Sequence, residues 1–108
     1  MYAILPIVRA DGTITIHLAN DGPDNLVVTL YDRNARHRQL VLSGQIIYGN
    51  ASISTSITAD SSAQGHLTWR AMSTDRDMPR CGHRDVPHVD DGATVHIKAD
   101  SACPRHHR

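Results

Sequence analysis

The chain has 108 residues, 40% hydrophobic and 20% charged, with eleven basic side chains balancing eleven acidic ones. That length holds one domain of ordinary size, and the apolar content excludes a wholly disordered chain. Zero net charge supplies no field to gather nucleic acid and no polybasic stretch for a membrane surface, so nucleic-acid binding is disfavoured and no membrane insertion is expected.

All eleven acids are Asp and ten of the eleven bases are Arg, Lys98 being the exception, while Phe is absent. The skew is what a GC-rich coding sequence produces and points to a bacterial source. It also removes the long helix formers Glu and Lys while Thr, Val, Ile and Ser abound, which favours strands. Trp69 is the single tryptophan, so the core must be built mostly from Ile, Leu, Val and Ala. Each fully buried aliphatic side chain contributes about 1.5 to 3 kcal/mol. A lean core of this kind gains from a covalent staple.

Met1 to Val8 is apolar and reads as an edge strand interrupted by Pro6. It has no basic region before it and no small-residue cleavage site after it, so a cytoplasmic location is expected, with a secreted or surface route left open. Asp11-Gly12 is a tight-turn signal, making residues 1 to 18 a candidate hairpin. Thr13 to Leu18 alternates with period two, placing Ile14, Ile16 and Leu18 on one face. After the turn formers at 20–25, Leu26 to Tyr31 is β-rich on both faces and is expected to lie centrally, with Leu26, Val28 and Leu30 inward.

The Arg33, Arg36, His37 and Arg38 cluster lacks interleaved aromatics and reads as a solvated loop. Gln39 to Tyr48 is a strand interrupted at Ser43-Gly44, which suggests a bulge. Ala51 to Ala59 places Ile53 and Ile57 inward and Ser52, Ser54, Ser56 and Thr58 outward. Gly65 to Met72 turns Leu67, Trp69 and Ala71 inward. Ser73 to Asp91 has two prolines and no periodicity, and is expected to be a long functional loop. Within it Asp75, Arg76, Asp77, Arg80, Arg84 and Asp85 are the candidate interaction residues. A last strand carries Ala93, Val95, Ile97 and Ala99 inward, with that parity continuing to Cys103. Residues 1–103 therefore form one domain, and 104–108 a flexible tail.

Short alternating strands at intervals of roughly ten residues predict an all-β antiparallel sandwich. Six to seven strands are expected, with an immunoglobulin-like arrangement favoured and a small β-barrel as the alternative. The Cys-Trp-Cys order of true immunoglobulin domains is missing, because Trp69 precedes both cysteines. The stretch L-A-N-D-G-P-D-N-L-V-V-T-L-Y-D, residues 18–32, resembles the small C-terminal β-sandwich accessory domains of bacterial phospholipases C. That resemblance covers 15 of the 108 residues and implies a non-catalytic domain.

The two cysteines admit three readings. A Cys81–Cys103 disulfide would tie the irregular segment to the last strand, worth roughly 3 kcal/mol by loop-closure entropy. Two free thiols fit a cytoplasmic chain. A zinc site would use Cys81, His83, His88, Cys103 and His106, thiolates and imidazoles being the ligands zinc prefers. Disulfide and metal exclude each other because they need the same sulfurs. The eight histidines also offer an acid-responsive charge, with His17, His66 and His96 on outward positions that would share one face, though scattered solvated residues explain them as well. No nucleophile elbow and no nucleotide-binding glycine motif occurs. The expectation is a non-catalytic binding or interaction module of unstated partner, without a cofactor. The alternative is a small zinc-binding protein.

Overall fold

The computed structural model describes residues 12–74 and 77–103. Where the sequence alternates, the chain is extended. Strand β1 (Thr13–Asn20) buries Ile14, Ile16 and Leu18, and β2 (Leu26–Asp32) buries Leu26, Val28 and Leu30. Strands β3 (Leu40–Ile47) and β4 (Ser52–Thr58) follow, and β5 (Gly65–Ser73) buries Leu67, Trp69 and Ala71. The chain closes with β6 (Arg80–Val89), β7 (Thr94–Ile97) and β8 (Ser101–Ala102). The parity read from the sequence holds in β1, β2, β4, β5 and β7, because period-two side chains can satisfy one core only in one register.

These strands form two packed sheets, one of three strands in the order β4-β1-β7 and one of five in the order β3-β2-β5-β6-β8. Their inner faces share one core, in which Ile16, Leu18, Val28, Leu30, Ile47 and Leu67 are fully buried. The fold is an all-β sandwich, and the alternative of a closed barrel is set aside because, among the described residues, the strands form two separate sheets rather than one closed on itself. As expected, β2 is internal, paired with β3 on one side and β5 on the other. β3 is bulged: three of its residues span two of β2 between the pairs Val28–Gln45 and Leu30–Leu42. Gly44 sits in that bulge at φ +70°, a conformation open to glycine without strain.

Four expectations need correction. First, Ser73 to Asp91 is not a long loop: from Arg80 it is a strand, fully laddered to β5 from Met72–Cys81 to Leu67–Val86. β5 supplies the backbone partners, so β6 needs no alternation of its own. Pro87 is accommodated where the register slips between Leu67 and Gly65. Second, the described residues contain eight strands rather than six or seven. Third, five of the six strand pairings are antiparallel, but β1 and β7 are parallel. The turn after β6 explains this. Thr15 N–H donates to Asp91 Oδ1 at 2.8 Å and Gly92 N–H donates to Thr15 O at 2.7 Å, delivering β7 beside β1 in the same direction. Fourth, the last strand stops at Ile97, and the chain crosses to the five-stranded sheet as β8. The crossing runs directly over Gly82, where a Cβ would lie 2.0 Å from the Lys98 carbonyl oxygen. The expected strand at Met1 to Val8, its hairpin, and the tail at 104–108 lie outside the described residues.

Buried polar side chains tie the sheets together. Asn20 Nδ2 donates to the carbonyls of Asp24 at 2.7 Å and Ile47 at 3.0 Å, while its Oδ1 accepts from Gly22 N–H. Asp32 accepts from Thr58 N–H at 2.8 Å, and Asn34 Nδ2 donates to Thr58 O at 3.0 Å. These bonds link the end of β2 in one sheet to the end of β4 in the other.

Candidate functional site

The register of the five-stranded sheet places three rows of side chains on its solvent face. The first is apolar: Ile46, Val27, Met72 and Cys81 are successive cross-strand neighbours on β3, β2, β5 and β6. Such neighbours have Cβ atoms about 4.5–5.5 Å apart, so the row is continuous. Ile46 is 40% and Met72 45% exposed. Cys81 is bonded to Cys103, with the two Cα atoms 4.9 Å apart. The disulfide is therefore the outer end of the apolar row.

The second row is Thr29, Arg70 and His83, and the third is Leu40, Tyr31, Thr68 and Asp85. A chain of hydrogen bonds organises the third row. Arg33 lies over the Tyr31 ring at 5.4 Å, and its Nε donates to Thr68 Oγ1 at 3.0 Å. Thr68 Oγ1 in turn donates to Asp85 Oδ1 at 3.0 Å, and His66 Nε2 is 2.8 Å from the same oxygen. The His66 hydrogen bond, followed by that of Thr68 and the positive charges of His66 and Arg33, holds the Asp85 carboxyl below the usual aspartate range. Arg70, by contrast, has no acidic partner among the described residues.

The solvent face of the three-stranded sheet has another chemistry. Thr13, Thr15, Ser52, Ser54, Ser56 and Thr94 cover it with hydroxyls, and His17 Nδ1 lies 2.7 Å from Ser54 Oγ. His96 Nδ1 is 2.6 Å from Asp21 Oδ2. One sheet is thus faced with hydroxyls, the other with an apolar row beside an arginine that has no acidic partner among the described residues.

Neither a family model, nor a curated protein, nor a solved structure matches the chain. The geometry alone carries the functional reading.

The candidate residues taken from the sequence are only partly brought together. Of the three readings of Cys81 and Cys103 the disulfide is the one that holds, which leaves no free cysteine. The zinc reading from Cys81, His83, His88 and Cys103 loses both thiolates to that bond. No cluster of three or more His, Cys, Asp or Glu side chains suited to a metal occurs among the described residues. His106 lies outside the described residues, as do Asp75 and Arg76. Asp77 is exposed in the connection between β5 and β6. Asp85 belongs to the solvent face, whereas Arg84 pairs in register with the inward-facing Trp69 and so points the opposite way. Arg80 hydrogen-bonds the Asp100 carbonyl and fastens the crossing chain. The loop candidates among the described residues therefore do not share one face. The histidines divide too: His17 and His96 lie on one sheet and His66 on the other, so they share no face.

The residues missed in the sequence are Val27, Ile46, Met72 and Arg70. Val27 and Ile46 were hidden among neighbouring apolar residues. Only the register shows that Ile46, Val27 and Met72 align with one another. A disulfide of this kind persists in non-reducing surroundings. No helix among the described residues is long and apolar enough to cross a membrane.

Proposed function

We propose that this domain is a non-catalytic binding module that takes an acidic protein segment with apolar side chains onto the solvent face of its five-stranded sheet. The observation that carries the reading is the row Ile46, Val27, Met72 and the Cys81–Cys103 bond, lying beside Arg70 and His83. The open face of a sandwich sheet is ordinarily polar, and the hydroxyl-covered sheet of this same molecule shows that its sequence can make one so. Apolar neighbours beside a cation that has no acidic partner among the described residues suit an occupant that supplies apolar side chains and carboxylates.

The pairing of β1 with β4, and of β2, β5 and β6 in the other sheet, supports an immunoglobulin-like assignment. It reproduces the B–E and C–F–G neighbours of those sandwiches. Placement of His17 and His96 on one sheet and His66 on the other supports a non-catalytic role, since acid–base chemistry needs its groups convergent on one substrate. The disulfide favours an oxidising compartment outside a bacterial cytoplasm.

The test is a titration of isotope-labelled protein with two synthetic peptides, one alternating Glu with Leu and one alternating Lys with Leu. The acidic peptide is expected to shift the amide signals of Val27, Ile46, Arg70 and Met72, and Arg70→Ala is expected to weaken its binding about tenfold, the scale of a charge-assisted bond. Equal binding of the two peptides, or shifts confined to the hydroxyl-covered sheet, would overturn the proposal.

A further inference from the structure

The edges of the two sheets are guarded unequally. On the five-stranded sheet, β3 is bulged twice, and β6 carries Arg84, Asp85 and Pro87 along the stretch that β8 does not cover. On the three-stranded sheet, β7 is four residues long and bears His96. Bulges, charges, prolines and shortness are how sheet edges avoid pairing with another chain. β4 uses none of them. Ser52–Thr58 has no charge and no proline, and it keeps unbroken register with β1 over seven residue pairs.

The backbone groups that β4 leaves open can be named. Ala59 N–H donates to Gly12 O at 2.7 Å, and Ala51 O accepts from Asn20 N–H at 2.9 Å, so the odd-numbered residues of this segment bond toward β1. In an antiparallel ladder the intervening residues direct N–H and C=O the other way. Those residues are Ser52, Ser54, Ser56 and Thr58. Thr58 is already satisfied on both groups by Asp32 and Asn34. Among the described residues the open set is therefore Ser52, Ser54 and Ser56, symmetric about Ser54.

We propose that two copies of this chain pair antiparallel through β4 about a two-fold axis at Ser54, joining their three-stranded sheets into one continuous sheet. In that register Ser52 faces Ser56 of the second copy and Ser54 faces its own equivalent, each pair exchanging N–H and C=O. The contact is self-complementary, as a two-fold interface requires. Side chains follow the same symmetry. Serine hydroxyls meet on the solvent face, and on the inner face Ile53, half-buried in the single chain, comes to lie beside Thr55 of the second copy. Opposite Thr58 the second copy presents Asn50, whose φ of +61° belongs to the turn before the strand. Pairing thus ends where Asp32 and Asn34 close the edge. Because β4 is uncharged, nothing on it repels its own copy.

Sedimentation equilibrium from micromolar to millimolar concentration tests this. The mass is expected to rise from 11.9 kDa toward twice that value. Ser54→Pro removes an N–H that the β1 ladder does not use, and is expected to hold the protein at the single-chain mass. Ser54→Lys leaves the backbone intact and sets two ammonium groups against each other at the axis. It is expected to raise the dimer dissociation constant at least about tenfold, and it decides the matter if the proline variant does not fold. A single-chain mass at every concentration overturns the proposal, as does a doubled mass that survives Ser54→Lys. The face assigned to partner binding lies on the opposite sheet, so either proposal can fail while the other stands.

Discussion

Asp85 reads in the sequence as one member of an irregular acidic and basic loop, yet its surroundings are built by neighbouring strands. Thr68 and His66 reach it from β5, and Arg33 reaches Thr68 from beyond the end of β2. Its carboxyl is held below the usual aspartate range, first by the His66 hydrogen bond. A depressed folded-state value means that the contribution is complete above the unfolded aspartate pKa and is lost as pH falls through the folded one. A carboxyl-detected titration is expected to place the midpoint of Asp85 below that of an unfolded aspartate, and His66→Ala is expected to move it upward. A midpoint unaffected by the substitution would remove His66 as the cause. Gly82 shows how one residue can hold a crossing. Its φ is not positive; what it lacks is room, because the Lys98 carbonyl occupies the place of a Cβ. Gly82→Ala is expected to cost about 1–3 kcal/mol, the range for overpacking, read from the midpoint of urea unfolding. An unchanged midpoint would mean that the crossing chain shifts freely.

At the scale of elements, a strand was legible where it buries one face and not where it borrows order from a neighbour. β1, β4, β5 and β7 alternate because each stands over the shared core, and their inward residues followed from parity alone. β6 does not alternate: its order comes from the ladder to β5, with β8 covering only its first two residues, and Pro87 sits at a slip in the β5 ladder. The site was less legible than the fold, since Ile46, Val27 and Met72 are 19 to 45 positions apart in a chain of 108 and meet only through register. Parallel pairing of β7 depended on Asp91 and Gly92 bonding to Thr15, a contact no local pattern announces. The bond between Asp32 and Thr58 is likewise nonlocal, and joins the two sheets. Asp32→Ala leaves the N–H groups of Thr58 and Asn34 without their acceptor. The expected loss is about 1–3 kcal/mol, with faster amide exchange at Thr58 than at Ile57, whose bonds run to β1. Equal exchange at the two positions would show that the staple contributes nothing.

For the whole molecule, the question is what the disulfide stabilises. In many small domains a disulfide substitutes for a core too thin to fold alone. Here the bond lies on the solvent face of the five-stranded sheet, while the core of both sheets closes without either cysteine. It joins residues 22 positions apart and clasps β8, only two residues long, to the start of β6. Cys103→Ser is therefore expected to loosen β8 and the crossing over Gly82, and to leave the rest of the sandwich standing. Loss of the closed loop corresponds to about 3 kcal/mol, a fall in Tm of roughly 10 to 20 °C for a domain of this size. Trp69, buried between the sheets, is the reporter for the remainder. Its fluorescence at room temperature is expected to match that of the oxidised protein, while amide exchange accelerates at Arg80 and Ser101. If Trp69 becomes solvent-exposed in the variant under native conditions, the staple is a requirement of the core itself, and the apolar row ending in Cys81 is structural before it is a surface for a partner.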